Sequence, residues 1–161
     1  MFKIVEKRKL AENIYEMKIA AERVARAALP GQFVIVRADE GGERIPLTIA
    51  DYDAEAGTVT IVTQTIGLST KKICALEAGD YLADFAGPLG RPSEFVHMPI
   101  EQLRQRKYLF VAGGVGTAPV YPQVKWLKQH GVECDVIIGA KTKDMLIYTD
   151  LMAAQGNVHI A

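Results

Sequence analysis

A glycine-rich turn in the second half of the chain is the first candidate for chemistry. The run Gly113-Gly114-Val115-Gly116-Thr117-Ala118-Pro119 follows an apolar segment at 107–112 and precedes an amphipathic segment at 118–130. Glycines between a strand and a helix allow main-chain amides to approach a pyrophosphate, and the helix dipole favours the anion. The turn predicts a dinucleotide phosphate site at Gly113, Gly114, Gly116, Thr117, Ala118 and Pro119. The alternative is a tight turn that binds nothing.

This turn differs from two common phosphate motifs. It is neither G-x-G-x-x-G nor G-x-x-x-x-G-K-[ST], so an ordinary Rossmann fingerprint and a P-loop are both disfavoured. The apolar segment at 132–138 ends in Gly139-Ala140-Lys141, where an acidic residue that binds a ribose is expected. Lys141 and Lys143 are candidates for a 2′-phosphate, although exposed lysines near a loop are commonly plain surface charge. The choice between NAD and NADP stays open.

An arginine and a threonine in one predicted strand form the second candidate. In Arg44-Ile45-Pro46-Leu47-Thr48 a guanidinium can bind a phosphate through two hydrogen bonds, and the threonine hydroxyl can meet a ring nitrogen. Pro46 has no N–H and so removes a competing donor. The alternative is a surface charge on an edge strand.

The third candidate joins the end of a strand to the start of a helix, in Gln64-Thr65-Ile66-Gly67-Leu68-Ser69-Thr70. Ser69 or Thr70 is the expected N-cap of a helix over 69–77. Amides and hydroxyls at such a turn can also hold a phosphate, which makes Gln64, Gly67, Leu68, Ser69 and Thr70 candidate cofactor-binding residues. Two anion-binding turns and an arginine strand together suggest a bound dinucleotide of the flavin type.

Alternating apolar and polar residues predict antiparallel strands through the first half of the chain. Turn signals recur about every eight to twelve residues, which favours a small closed barrel of roughly six strands over a parallel sheet. The predicted strands cover 2–9, 14–20, 32–38, 44–52, 58–64 and 80–86.

The second half has a β-α-β pattern, which predicts a parallel sheet. Its expected strands are 107–112, 132–138 and one beginning at Asn157, with helices at 118–130 and 144–154. We expect a barrel domain at 1–98, a linker at 99–106 and the first part of a Rossmann-like NAD(P)-binding α/β domain at 107–161. A doubly wound fold has about five or six strands, so the chain is expected to be a fragment truncated within this domain.

Composition limits the class of protein. The chain has 19 basic and 19 acidic residues and 7% aromatic residues, which disfavours a single-stranded nucleic-acid barrel or a lipocalin-like barrel. Its start alternates apolar and charged residues and so does not resemble a signal peptide, and no run is long enough to span a membrane. Cys74 and Cys134 show no metal or disulfide spacing, and a reducing cytoplasm is expected.

Four segments in this order resemble the ferredoxin–NADP reductase superfamily. Within it, the chain is most similar to the flavin and iron–sulfur subunit of NADH-dependent reduced-ferredoxin:NADP oxidoreductase and to the electron-transfer subunit of dihydroorotate dehydrogenase. The segments are Pro30-Gly31-Gln32-Phe33-Val34, Arg44-Ile45-Pro46-Leu47-Thr48-Ile49-Ala50-Asp51, Gly87-Pro88-Leu89-Gly90-Arg91-Pro92 and Gly113-Gly114-Val115-Gly116-Thr117-Ala118-Pro119.

The resemblance implies a six-stranded antiparallel Greek-key flavin barrel followed by a nucleotide domain, with FAD at their junction. It implies that Arg44 binds the FAD phosphates, that Thr48 hydrogen-bonds near flavin N5 as the catalytic residue, and that residues 67–70 cap the pyrophosphate. Residues 113–119 would receive NAD or NADP. Leu47 stands where plant-type members have an aromatic residue, which favours the multi-subunit relatives.

The resemblance also implies a function and partners. We expect hydride transfer between nicotinamide C4 and flavin N5, with electrons then passing singly to an iron–sulfur protein such as ferredoxin or to a second oxidoreductase subunit. This chain lacks the cysteines for a [2Fe–2S] cluster, which is expected only in a missing C-terminal segment or a partner, within a hetero-oligomer. The alternative is a flavin-binding docking module of a multi-subunit dehydrogenase or hydrogenase that is inactive alone. Neither a nucleic acid nor a membrane is an expected partner.

Overall fold

The computed structural model describes residues 1–161, which form ten strands in one seven-stranded and one three-stranded sheet. The strands of the larger sheet are β1 (Phe2–Ala11), β2 (Ile14–Ala20), β3 (Phe33–Arg37), β4 (Ile45–Asp53), β5 (Thr58–Gln64), β6 (Tyr81–Leu82) and β7 (Asp84–Leu89). Those of the smaller sheet are β8 (Tyr108–Gly113), β9 (Cys134–Gly139) and β10 (Asn157–Ile160). The α-helices are α1 (Glu22–Ala27), α2 (Leu68–Ala75), α3 (Ile100–Gln105), α4 (Thr117–Gln129) and α5 (Thr149–Ala153).

The larger sheet is antiparallel and nearly closes into a barrel. Its strand order is β6-β1-β2-β5-β4-β3-β7. The consecutive strands β3, β4 and β5 are neighbours in this order, and β2 pairs with β5, as in a Greek key. The strands at the two edges, β6 and β7, are separated in sequence by Ala83 alone. One bent segment therefore joins both edges of the sheet.

The barrel has seven strands and not the six that were predicted, because this bend divides the last predicted strand in two. The predicted strand at 80–86 leaves β1 after Leu82, and the Ala83 N–H donates a hydrogen bond to the Arg37 carbonyl oxygen at 2.9 Å. The chain then continues along β3 as far as Leu89. The bend is required because the same segment must pair with strands on opposite sides of the closed sheet.

A core of 15 buried residues fills the barrel. In β3 the buried Val34 and Val36 alternate with half-buried neighbours, as expected for a strand with one face toward a core. Two helices complete this core: α1 contributes Val24 and Ala25, and α2 contributes Ile73. The buried alternate residues therefore mark the face of β3 that lines the barrel interior.

The smaller sheet is parallel, in the order β10-β9-β8, as the β-α-β pattern predicts. The helix predicted at 144–154 is wrong in extent. Residues 143–145 form a 3₁₀ turn, and α5 covers only Thr149–Ala153. Tyr148 between them has a φ of 61°, which breaks a right-handed helix. Its side chain reaches across to the barrel, a tertiary contact that local periodicity does not reveal.

The two sheets share a second core of 17 residues, which includes Ala11, Ile14, Ala50 and Val62 of the barrel beside residues of α4, β9 and α5. Three polar contacts cross the same boundary. In the first, Tyr148 Oη donates to Glu16 Oε2. Lys125 Nζ donates to Asp51 Oδ1 at 2.9 Å, and Ser93 Oγ donates to Gln123 Oε1 at 2.9 Å. The position of α4 is therefore fixed by the barrel.

The segment predicted as a linker contains α3, whose Leu103 is buried in the shared core. The turn Pro30-Gly31 packs against Ser93, whose N–H donates a hydrogen bond to the Pro30 carbonyl oxygen at 2.9 Å. A Cβ on Gly31 would lie 2.6 Å from Ser93 Oγ, and its φ of 92° favours glycine. No helix of the chain combines the length and apolar character needed to cross a membrane.

Candidate functional site

Three cavities lie in a row across the junction of the two sheets. The first, about 440 Å³, lies between the loop before β4 and the start of α2. A central cavity of about 260 Å³ lies between β4, β5 and the turn before α4, and a third of about 580 Å³ lies at the carboxyl ends of β8 and β9. Ile66 and Thr70 line both the first and the central cavity, and Gln64 and Val115 line both the central and the third. The three cavities therefore adjoin one another, and together we call them the groove.

The first cavity is built around the first turn of α2. Thr70 Oγ1 accepts hydrogen bonds from the N–H groups of Gly67 at 2.9 Å and Ile66 at 3.0 Å, and it donates to the Gly67 carbonyl oxygen at 3.0 Å. Gly67 is the N-cap, so the prediction of Ser69 or Thr70 at that position is wrong. Both lie in the first turn, whose main-chain N–H groups have no partner within the helix and can bind an anion.

Carboxylates of the chain bind two of the groups predicted to bind phosphate. Ser69 Oγ donates to Glu43 Oε2 at 2.7 Å. Arg44 donates to Asp84 Oδ2 from Nε at 3.1 Å and from Nη2 at 2.7 Å, and it lines none of the three cavities. The hydrogen bond from Arg44 holds the pKa of the Asp84 carboxyl below its usual range, and the nearby Arg37 adds to this effect.

The central cavity brings together segments that are far apart in sequence. Its walls include Pro46, Leu47 and Thr48 of β4, residues 62–64 of β5, and Gly116, Ala118 and Pro119 at the start of α4. Apolar walls with a few polar groups are typical of sites for organic ligands.

A buried hydroxyl in this wall has no partner within the chain. Thr63 is 3% exposed, and its Oγ1 makes no hydrogen bond. A buried polar group without a partner is unfavourable, so a hydroxyl of this kind beside a cavity fits a ligand that carries polar atoms. The half-buried Thr48 lines the same cavity and pairs with Phe33 across the β3–β4 ladder.

The third cavity contains the glycine turn predicted to bind a dinucleotide. Gly113 and Gly114 lie opposite Gly139, Ala140 and Lys141 of the neighbouring strand end. Gly114 has a φ of 54°, a conformation that favours glycine. None of the residues that line this cavity is acidic, whereas Lys141 contributes a positive charge.

Two predicted positions near this turn lie apart from the cavities. Thr117 is fully buried at the start of α4, and its hydroxyl has no hydrogen-bond partner. It lines none of the three cavities, and Lys143 does not line the third. All the other predicted cofactor-binding residues except Arg44 line at least one of them: these are Pro46, Leu47, Thr48, Gln64, Gly67, Leu68, Ser69, Thr70, Gly113, Gly114, Gly116, Ala118 and Pro119.

Known proteins resemble the chain over almost its whole length, although no protein-family model matches it. An uncharacterised protein of the adh 3′ region in Clostridium beijerinckii is 59% identical over 161 residues, which are 99% of this chain and 54% of that protein. A Thermotoga maritima homologue of the electron transfer subunit of dihydroorotate dehydrogenase B (NAD(+)) is 42% identical over 147 residues, which are 91% of this chain and 50% of the relative. The chain spans about half the length of these curated relatives.

Solved structures share the arrangement of barrel and α/β unit. A chain of NADH-dependent reduced ferredoxin–NADP oxidoreductase, studied for flavin-based electron bifurcation, matches with a TM-score of 0.89 and 38% identity over 99% of this chain and 56% of that chain. Ferredoxin–NADP⁺ reductase from Plasmodium falciparum matches with a TM-score of 0.72 and 17% identity over 99% of this chain and 68% of that one. The chain has the ferredoxin–NADP reductase-like fold. The resemblance drawn from the four sequence segments is therefore confirmed.

Within this ferredoxin–NADP reductase-like fold, sequence reasoning missed several residues that line the groove. The first cavity includes Gly41, Gly42 and Glu43, none of which was a predicted site residue. The central cavity includes Val62 and Thr63, which read as ordinary strand residues. The glycine pair just before Arg44 was an available signal for the loop. No local signal identifies Thr63, because its place in the cavity wall depends on how β5 packs near the turn before α4.

Proposed function

We propose that the chain is the FAD-binding part of an oxidoreductase subunit that passes electrons between NAD(P)H and an iron–sulfur protein. The observation that carries the proposal is the groove, which joins the first turn of α2, the β4–β5 wall and the glycine turn before α4. A dinucleotide needs an anion-binding turn, an apolar slot for a ring and polar groups for orientation. The relatives with electron-transfer names support the same assignment.

The groove suggests a role for each predicted residue. We assign Gly67, Leu68, Ser69 and Thr70 to the FAD diphosphate, because they line the first cavity at a helix N-terminus. Arg44 would join them by exchanging Asp84 for a phosphate, which a long and 63% exposed side chain can do by changing rotamer. The main-chain amides of the turn at 67–70 would carry most of the binding.

The ring of FAD is assigned to the central cavity. Pro46 and Leu47 would contact it, Gln64 and Thr48 would hydrogen-bond to it, and Gly116 would allow the start of α4 to approach closely. The turn at 113–119 would place NAD or NADP beside the same cavity. The common lining by Gln64 and Val115 brings the two ligands together.

Bound FAD would accept a hydride from the nicotinamide and release its electrons one at a time. The residues of the chain orient the two rings, exclude water from the space between them and supply hydrogen bonds. Thr48 is the residue that we assign to the reacting edge of the ring. It belongs to β4 and lines the same cavity as the turn before α4. An acid–base pair is not required for this chemistry.

Several broader features belong to the same proposal. We infer that a [2Fe–2S] cluster is held by a partner or by protein beyond this chain, in a hetero-oligomer. We place the division between the FAD-binding and nucleotide-binding units within residues 99–106. We also propose a cytoplasmic location, since both cysteines are buried free thiols, as is usual in a reducing compartment.

The alternative function is a flavin-binding docking module that is inactive alone, and the specific observation in its favour is that the relatives are about twice as long as this chain. One experiment separates the two. The purified chain is loaded with FAD, and NADH or NADPH is added without oxygen while the flavin absorption band is recorded. Bleaching of the band supports the oxidoreductase. A yellow protein that neither nucleotide bleaches supports the module, and a colourless protein contradicts both.

A further inference from the structure

Two carboxylates of the chain already bind the side chains assigned to the FAD diphosphate. Glu43 Oε2 accepts the Ser69 hydroxyl at 2.7 Å, and Asp84 Oδ2 accepts both Arg44 hydrogen bonds. A carboxylate resembles a phosphate in its charge and in its acceptor oxygens. The anion-binding elements of the first cavity are thus satisfied internally.

We propose that Glu43 is an internal counter-anion that FAD must displace. Its carboxylate takes the position of a phosphate oxygen at Ser69, and it moves away with the tip of the loop 38–44, residues 39–43, when the diphosphate binds, while Arg44 at the end of the loop stays beside the site. This inference rests on the proposed function. It adds a device that controls access to the site.

The loop 38–44 has the properties of a segment that can open. It joins β3 to β4 and carries Gly41 and Gly42, which line the first cavity and have few steric restrictions. Its other side-chain tie to α2 is the Lys72–Asp39 ion pair at 3.1 Å, whose side chains are 42% and 52% exposed. Exposed ion pairs hold weakly, so the loop can release α2 without unfolding the barrel.

Electrostatics decides the direction of the effect. The FAD diphosphate carries two negative charges, and a carboxylate at Ser69 would repel it. Glu43 therefore lowers the affinity for FAD and slows its entry. A ligand without phosphate gains nothing from the removal of this charge.

The test compares Glu43→Gln with the wild type and with Glu40→Gln. Glutamine keeps the shape of the side chain and removes its charge. Glu40 lies in the same loop, and only its main-chain carbonyl oxygen is hydrogen-bonded, by Arg37 Nη1 at 2.9 Å. Glu40→Gln changes the net charge equally and so controls for it. FAD and riboflavin are titrated into flavin-free protein, and flavin fluorescence reports binding.

We expect Glu43→Gln to bind FAD about three- to fivefold more tightly, the range set by a single exposed charge contact. Glu40→Gln should bind like the wild type, and riboflavin affinity should be equal in all three proteins. The difference between Glu43→Gln and wild type should fade in about 0.5 M salt, because mobile ions screen the repulsion.

Other outcomes overturn or strengthen the inference. The inference about Glu43 would be overturned if Glu43→Gln bound FAD no more tightly than the wild type while circular dichroism showed both proteins folded. The proposed function would survive that result. Binding of FAD by Glu43→Gln, with no binding by the wild type or Glu40→Gln, would support the inference strongly. Absence of FAD binding in every folded variant would remove the proposed function and this inference together.

Discussion

The barrel and the three-stranded sheet bury their apolar residues in different ways. The barrel has its own core of 15 residues, and its edges are joined by the bent segment at Ala83. The smaller sheet packs α4 and α5 on one face and shares its core with the outer surface of the barrel. Leu109 and Val111 on its other face are 61% and 72% exposed.

This difference explains how the groove is positioned. The nearly closed barrel fills its own core with residues of its strands and of α1 and α2. The glycine turn at 113–119 takes its position from the barrel through the shared core and through the Glu16, Asp51 and Ser93 contacts. The β4–β5 wall of the central cavity should therefore be more resistant to disruption than the glycine turn at 113–119.

The largest expected effect comes from a cavity in one core or the other. Ile61→Ala, in the fully buried centre of the barrel, should lower the free energy of unfolding by about 2–5 kcal/mol and abolish FAD retention. Leu127→Ala, equally buried in the shared core, should lower stability by a similar amount while FAD retention persists. Urea unfolding and flavin absorbance measure the two quantities. Equal loss of FAD in both variants would refute the independence of the barrel.

A somewhat smaller effect is expected at the boundary. Tyr148→Phe removes the hydroxyl that donates to the buried Glu16 and leaves that carboxylate with Arg8 alone, at 3.1 Å. Hydrogen bonds to charged groups contribute about 1.5–3 kcal/mol, so the free energy of unfolding should fall within this range. Thermal unfolding measured by circular dichroism tests it. An unchanged stability would show that the contact does not hold the two sheets together.

The same residue gives a pH dependence with a definite sign. Burial and then the Glu16 charge raise the pKa of Tyr148, and burial raises the pKa of Tyr52 to about 12. Above about pH 10 the unfolded tyrosines lose protons that the folded ones keep, so stability should fall as pH rises. Below about pH 10 both tyrosines are protonated in the folded and the unfolded state, so their contributions to the free energy of unfolding are fully present. The fall between pH 10 and 12 should be shallower in Tyr148→Phe than in the wild type, as urea midpoints at each pH would show.

Arg44→Ala tests the phosphate assignment in the barrel wall. We expect FAD affinity to fall about tenfold, because charge-assisted hydrogen bonds to a phosphate are lost. Arg26→Ala is the matched control, since Arg26 is also exposed and pairs with Glu22 on α1, at a distance of 2.6 Å. Equal FAD affinity in the wild type and both variants would remove Arg44 from the site.

The smallest effect is expected for Lys125→Met, which breaks the ion pair with Asp51 at the boundary. Both side chains are partly exposed, at 27% and 30%, so the pair should contribute less than about 1 kcal/mol to stability. Chemical denaturation measures this difference. A loss of several kcal/mol would show that this pair, and not the shared apolar core, positions α4.

Local pattern was sufficient for most elements of both sheets. Alternation located the strands from β1 to β5, and the glycine turn located the start of α4. The bend at Ala83 and the break at Tyr148 were not predicted, because each depends on a partner remote in sequence: Arg37 in one case and Glu16 in the other.

The residues of the candidate site were likewise predictable only in part. Motifs found the residues that line the groove where a strand meets a turn, such as Thr48 and Gly114. They did not show that Arg44 pairs with Asp84, a contact between residues 40 positions apart. They also missed Thr63, because its buried hydroxyl without a partner follows from tertiary packing and not from the local sequence.

We propose above all that the groove between the barrel and α4 binds FAD. The most direct test is to incubate the folded, purified chain with FAD, remove free ligand by gel filtration and measure the flavin that remains bound to protein. We expect a yellow protein with close to one FAD per chain. A folded chain that emerges colourless, and that still fails to bind FAD at micromolar concentration, would contradict it.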